Sequence, residues 1–126
     1  MPEAIPALDT KILAAVEALK ANPKIARGIA TALEESDKAM KEQCEICEIP
    51  APTFEEGVRA QEIARRMKLY GLTDVTIDEI GNVVGRRPGK GKGPSLALGA
   101  HMDTVFPVGT AAERPLTVDG NRVLGP

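Results

Sequence analysis

The one histidine of this 126-residue chain, His101, stands two residues before Asp103. In an extended segment residues i and i+2 face the same way, so the Asp103 carboxylate can lie beside the imidazole, hold one ring nitrogen and leave the other for a metal. The small, apolar run Ser95-Leu-Ala-Leu-Gly-Ala100 leads directly into the pair. Such a run has the pattern of a strand covered on both faces, and sheet enzymes place reactive groups in the loops at strand carboxyl ends. On the bare H-x-D spacing a structural histidine and aspartate closing a turn is the commoner role; it is the position at the end of the run that favours chemistry. A catalytic zinc takes about three protein ligands and keeps one position for water, so any ligands beyond His101 must be carboxylates, thiolates or residues past 126.

Other chemistry-bearing patterns read as structural. Cys44 and Cys47 form a C-x-x-C, which in another setting makes half a zinc site or a redox pair. Here both fall on the apolar stripe of a helix, without a second pair, and core packing is the expected role. The segment Arg86-Arg-Pro-Gly-Lys-Gly-Lys-Gly-Pro94 has the glycine and charge of a phosphate cradle but not the P-loop spacing, and reads as a solvated loop. Glu34-Glu35 and Glu55-Glu56 read as helix faces and first-turn charges. No G-x-S-x-G nucleophile elbow occurs.

The elements that position these residues change character along the chain. Of twelve glycines, Gly28 and Gly57 precede residue 71 and the other ten follow from Gly71 onward. The first half therefore reads as helix and the second as strand and turn. Asp9 or Thr10 caps a helix over 10–20, and Asn22-Pro23 opens a second over 23–48, with a possible break at 36–38 in the polar stretch and a stop at Pro50 and Pro52. Thr53-Phe-Glu-Glu56 has the form of a capping box for a helix over 54–70 that ends at Gly71. Val75 and Ile77, a Gly81-Asn82 turn and Val83-Val84 predict a hairpin. After the strand at 95–100, Leu116–Val118 and Arg122–Leu124 around Asp119-Gly120-Asn121 predict another. A central strand needs helices on both faces, so the sequence reads as the N-terminal piece of a longer α/β protein.

Composition narrows the function. With 16 basic against 18 acidic residues and only Phe54, Tyr70 and Phe106 aromatic, the chain offers neither a basic groove nor a stacking platform for nucleic acid. No apolar run approaches the roughly 18 residues of a membrane span. Neither does the N-terminus have a basic segment leading into an apolar one, which argues for a cytoplasmic protein; two cysteines three apart are no disulfide framework, which suits that compartment.

Several stretches together resemble one family. Segments 98–110 (LGAHMDTVFPVGT) and 114–126 (RPLTVDGNRVLGP) are similar to the first metal-binding segment of the dinuclear zinc exopeptidases and deacylases. That family includes glutamate carboxypeptidase, peptidase T, aminoacylase, acetylornithine deacetylase and succinyl-diaminopimelate desuccinylase. Segments 48–60 (EIPAPTFEEGVRA) and 77–89 (IDEIGNVVGRRPG) resemble the segments that precede it there, in the same order. The resemblance covers about 42–126. It implies the N-terminal part of a three-layer catalytic domain, with helices first and then a mixed β-sheet; residues 1–41, which carry no signature of that family, read from their own pattern as a helical leader. It also implies that His101 ligates one of two zinc ions and that the catalytic-site Asp103 orients and polarises its imidazole. The remaining ligands, the catalytic glutamate and a domain that commonly mediates homodimerisation would lie past residue 126.

Two readings follow. The first is the N-terminal portion of a zinc-dependent metallohydrolase that cleaves peptide or N-acyl amino acid amide bonds with metal-activated water, inactive as this piece alone. Aminopeptidase, carboxypeptidase and deacylase specificities stay open. The second is a non-enzymatic interaction domain in which the helix over 23–48 docks a partner and His101 is structural.

Overall fold

In the computed structural model, which describes residues 9–120 and 122–125, the Asp9 side chain accepts from the Lys11 amide at 2.8 Å and opens α1 (Thr10–Lys20). Asn22 repeats the device on Lys24 at 3.0 Å and, with Pro23 in the first turn, opens α2 (Pro23–Glu34). The chain forms two compact units, one reaching Met40 and the other starting at Lys41. Within the first, α1 packs against α2, yet Ile12, Val16, Ile29 and Leu33 stay exposed.

The single helix expected over 23–48 is two helices. Glu35, at φ −96° and ψ 9°, ends α2, and α3 (Ser36–Cys47) starts immediately. Serine and aspartate favour helix starts because their side chains compete for backbone groups, and Asp37 in the first turn suits the positive end of the α3 dipole. The polar stretch at 35–38 also interrupts the apolar stripe that would have favoured one continuous rod.

The second unit is built on α4 (Gly57–Leu69), whose Arg59, Ala60 and Ala64 are buried. It closes in a Schellman motif: the Gly71 amide donates to the Lys68 carbonyl at 3.0 Å and the Leu72 amide to that of Met67 at 3.0 Å, with Gly71 at φ +78°. The chain then enters an antiparallel hairpin of β1 (Thr73–Ile77) and β2 (Val83–Arg86), which packs on α4. A bulge between Thr73 and Thr76 coincides with Asp74 at φ +52°. At the hairpin turn, Asp78 Oδ1 accepts from the amides of Ile80 (3.1 Å) and Asn82 (2.8 Å); the Asn82 side chain, donating to Oδ2 at 2.9 Å, foremost and then these backbone contacts hold its carboxyl below the usual range. Gly85 lets hairpin and helix meet closely, since a Cβ there would lie 3.0 Å from Leu72 Cδ2 and 3.1 Å from Met67 Sδ. Arg66 adds ion pairs to Glu62 (2.7 Å) and Glu45 (2.8 Å), and Tyr70 donates to Glu42.

A short helix α5 (Thr110–Glu113), which the sequence did not signal, precedes a second antiparallel hairpin of β3 (Thr117–Asp119) and β4 (Arg122–Leu124). Asn121 of its expected turn, like Pro126, lies outside the described residues. Both hairpins fall where the alternation and turn residues placed them.

Three other expectations are corrected. The helix expected over 54–70 begins only at Gly57, because residues 52–55 form a turn in which the Glu55 amide donates to the Pro52 carbonyl at 2.8 Å. The run 95–100 is not a strand: no strand pairs with it among the described residues, and Leu96 and Leu98 are 84% and 91% exposed, so its two-sided apolar pattern has no cover. For the same reason the expected mixed sheet is, among the described residues, two separate two-stranded antiparallel sheets with one parallel bridge, Pro52 to Thr104. Helices with small sheets remain compatible with an α/β fragment. No helix among the described residues is long and apolar enough to cross a membrane.

Candidate metal-binding site

The bridge between Pro52 and Thr104 positions the site. The Thr104 amide donates to the Ala51 carbonyl at 2.8 Å and its hydroxyl to the same oxygen at 3.3 Å, with Ala51 fully buried. Two segments some fifty residues apart in sequence are thereby laid side by side. From the helix beneath, Arg59 reaches the Met102 carbonyl with Nη1 at 2.6 Å and the Ile49 carbonyl with Nε at 3.0 Å. Arg59 is itself only 5% exposed, so its charge is compensated by backbone oxygen in place of water.

On this frame His101 and Asp103 face the same way. His101 Nδ1 lies 2.9 Å from Asp103 Oδ1. The Thr53 hydroxyl donates to Asp103 Oδ2 at 2.7 Å. Together, the Thr53 hydroxyl foremost and then the His101 ring, these contacts hold the Asp103 carboxyl below the usual carboxylate range. An ionised carboxylate only accepts hydrogen bonds, so the Nδ1 facing it carries a proton and, in the neutral ring, Nε2 keeps its lone pair. The imidazole is exposed and the carboxylate half-buried. A carboxylate that holds one ring nitrogen in this way leaves the other open to act as a ligand or a base.

The donor set stops there. Among the described residues no group of three or more His, Cys, Asp or Glu side chains gathers to hold a metal. The residues present therefore fit one ligand of a zinc ion and not a full coordination shell, which needs about four positions filled. Cys44 and Cys47 are free thiols, half-buried along α3. The loop 87–94 is exposed and irregular, with Arg87 donating to the Tyr70 carbonyl at 3.0 Å. His101 and Asp103 line an open groove of about 780 Å³ whose walls include Ile63, Met67, Val83 and Leu98. A mostly apolar concavity with a few convergent polar groups is the usual form of a small-molecule site.

Two contributors escaped sequence reasoning. Thr53-x-x-Glu56 has the spelling of a capping box, yet α4 has no side-chain cap: Glu56 Oε1 accepts from the Phe54 amide at 2.9 Å, and the Thr53 hydroxyl donates to Asp103. Phe54, 95% exposed at φ +70°, carries the strained turn that presents Thr53. Arg59 had a legible signal, since it shares the core-facing stripe with Ile63 and Met67, where a charge needs an internal partner.

No family model matches the chain. Among curated proteins, it is 38% identical over 69 residues, 55% of its length, to a Pyrococcus abyssi protein provisionally named a LysW-lysine/LysW-ornithine hydrolase. Proteins of the same name from Pyrococcus furiosus (38% over 60 residues) and Thermococcus kodakarensis (37% over 60 residues) match 48% of the chain. The matched part spans 17–20% of these relatives' own lengths. The similarity is to hydrolases.

Proposed function

We propose that this chain is the N-terminal portion of a cytoplasmic, zinc-dependent metallohydrolase that cleaves peptide or N-acyl amino acid amide bonds. The carrying observation is the His101–Asp103 pair, 2.9 Å apart and pinned by Thr53 and Arg59, in a chain similar to named hydrolases. In this reading His101 is a metal ligand through Nε2. Asp103 keeps that nitrogen unprotonated by holding the proton on Nδ1, and it raises the basicity of the ring. The open groove beside the pair receives the acyl or peptidyl part of the substrate against apolar side chains. When bound, zinc supplies Lewis-acid polarisation of the scissile carbonyl and activation of water. Further ligands and a general base would come from sequence past residue 126, and a homodimer through a further domain belongs to the same reading. The relatives' names make LysW-lysine and LysW-ornithine the first substrates to assay, followed by dipeptides and N-acetyl amino acids.

The test is hydrolysis of that panel by the protein translated from the uninterrupted reading frame containing residues 1–126. The expected result is turnover that a chelator abolishes, that added zinc restores and that His101→Ala lowers by at least about 100-fold. Turnover unaffected by chelation or by His101→Ala would overturn the reading.

A further inference from the structure

Asp103 is held from both sides. One carboxylate oxygen faces His101 Nδ1 at 2.9 Å, and the other accepts from the Thr53 hydroxyl at 2.7 Å. The terminal torsion of an aspartate is broad and two-fold, so a carboxylate with a single partner can rotate and exchange that partner for water. With the second oxygen fixed, the first is fixed too. Thr53 can do this because its own backbone is pinned. The turn closed by the Glu55 amide on the Pro52 carbonyl at 2.8 Å sets its direction, and the Pro52–Thr104 bridge holds it against the segment that carries Asp103.

From this geometry we infer that Thr53 is a positioning residue of the site: by holding the Asp103 carboxylate it locks His101 in the Nδ1–H tautomer, with the Nε2 lone pair left for a ligand. The consequence for metal binding rests on the proposed function; the tautomer lock itself does not. The Thr53 hydroxyl proton goes to Asp103 Oδ2 and the His101 Nδ1 proton to Oδ1, so the carboxylate accepts both and the chain of hydrogen bonds has one consistent direction. Thr53 is exposed, and its replacement opens no cavity in a core.

His101 is the only histidine, so its two ring nitrogens can be read without assignment ambiguity in a long-range 1H–15N correlation spectrum of the metal-free 126-residue chain, at a pH where the ring is neutral. The wild type should show a protonated, pyrrole-type Nδ1 and an unprotonated, pyridine-type Nε2. Thr53→Val should move the two 15N shifts toward each other, as the tautomers mix, while the backbone amide spectrum away from residues 51–54 and 101–104 stays in place. Thr53→Ser, which keeps the hydroxyl, should restore the wild-type pattern. A purely structural role for Thr53 would leave the tautomer unmoved in Thr53→Val, and that result, or tautomer mixing already in the wild type, overturns the inference. Zinc binding does not enter this readout, so an intact lock combined with failed hydrolysis would discard the proposed function and leave the role of Thr53 standing.

Discussion

Arg59 Nη1 donates to the Met102 carbonyl at 2.6 Å, so a buried guanidinium on α4 grips the residue that stands between His101 and Asp103. The same side chain bonds the carbonyls of Ile49 and, at 3.3 Å, Cys47. One arginine thus ties α4, the end of α3 and the site loop together. Its carbonyl partners are neutral, so these contacts are charge-assisted hydrogen bonds without a carboxylate.

Arg59→Met keeps the apolar stem and strips the donors from the part-buried bonds to the Ile49 and Met102 carbonyls. A loss of about 3 kcal/mol is expected, from about 1.5–3 kcal/mol for each hydrogen bond made by a charged group. Urea unfolding followed by far-UV circular dichroism checks it. Arg65→Met serves as the control on the same helix, since Arg65 is exposed and its pair with Glu62 at 2.7 Å is screened by solvent. Equal costs for the two variants would show that Arg59 is no tie.

Glu62 predicts the acid limb of the stability profile. Hydrogen bonds from Arg65 first and Arg66 second lower its carboxyl from an ordinary 4.5 to about 2. A carboxyl depressed in the folded state contributes stability that is complete above the unfolded value and is lost as pH falls toward the folded one. The wild type should therefore hold a constant advantage over Glu62→Gln above about pH 5 that shrinks between 4.5 and about 2. Thermal melts across that range, at low and at high salt, check the slope and its screening. Parallel profiles for the two proteins would refute the linkage.

Two glycines at the ends of α4, Gly57 as its first residue and Gly71 just past its last turn, should respond with opposite signs. Gly71 stands at φ +78° with open space around the position of a Cβ, so Gly71→Ala meets no clash and pays only the left-handed strain, about 1 kcal/mol. Gly57, the first residue of α4, also has open space and no positive φ, so Gly57→Ala should stabilise by about 0.4–1 kcal/mol through the unfolded chain. Melting temperatures of the two variants settle both signs.

What could be read from the residues follows the range of the forces involved. Asp9, Asn22-Pro23, Gly71 and Gly81-Asn82 act on backbone within a few positions, and the helix starts, the helix end and the first hairpin they specify stand where local chemistry put them. The i, i+2 argument for His101 and Asp103 is equally local, and the two atoms do meet at 2.9 Å. Failure came where a distant partner outbid a local one. Thr53-x-x-Glu56 is written as a capping box, but a carboxylate 50 positions away takes the hydroxyl. Nothing within residues 95–100 could tell that their apolar faces would meet solvent, because burial of a strand is decided by what other segments supply. Arg59 was overlooked because a charge is expected at the surface unless its stripe is traced into the core.

The most direct measurement of the central claim is calorimetric zinc titration of the protein translated from the uninterrupted reading frame containing residues 1–126, as wild type and as His101→Ala. The account predicts tight binding of about two zinc ions per chain, with one or both lost in His101→Ala. Zinc binding of unchanged stoichiometry and affinity in His101→Ala would contradict it.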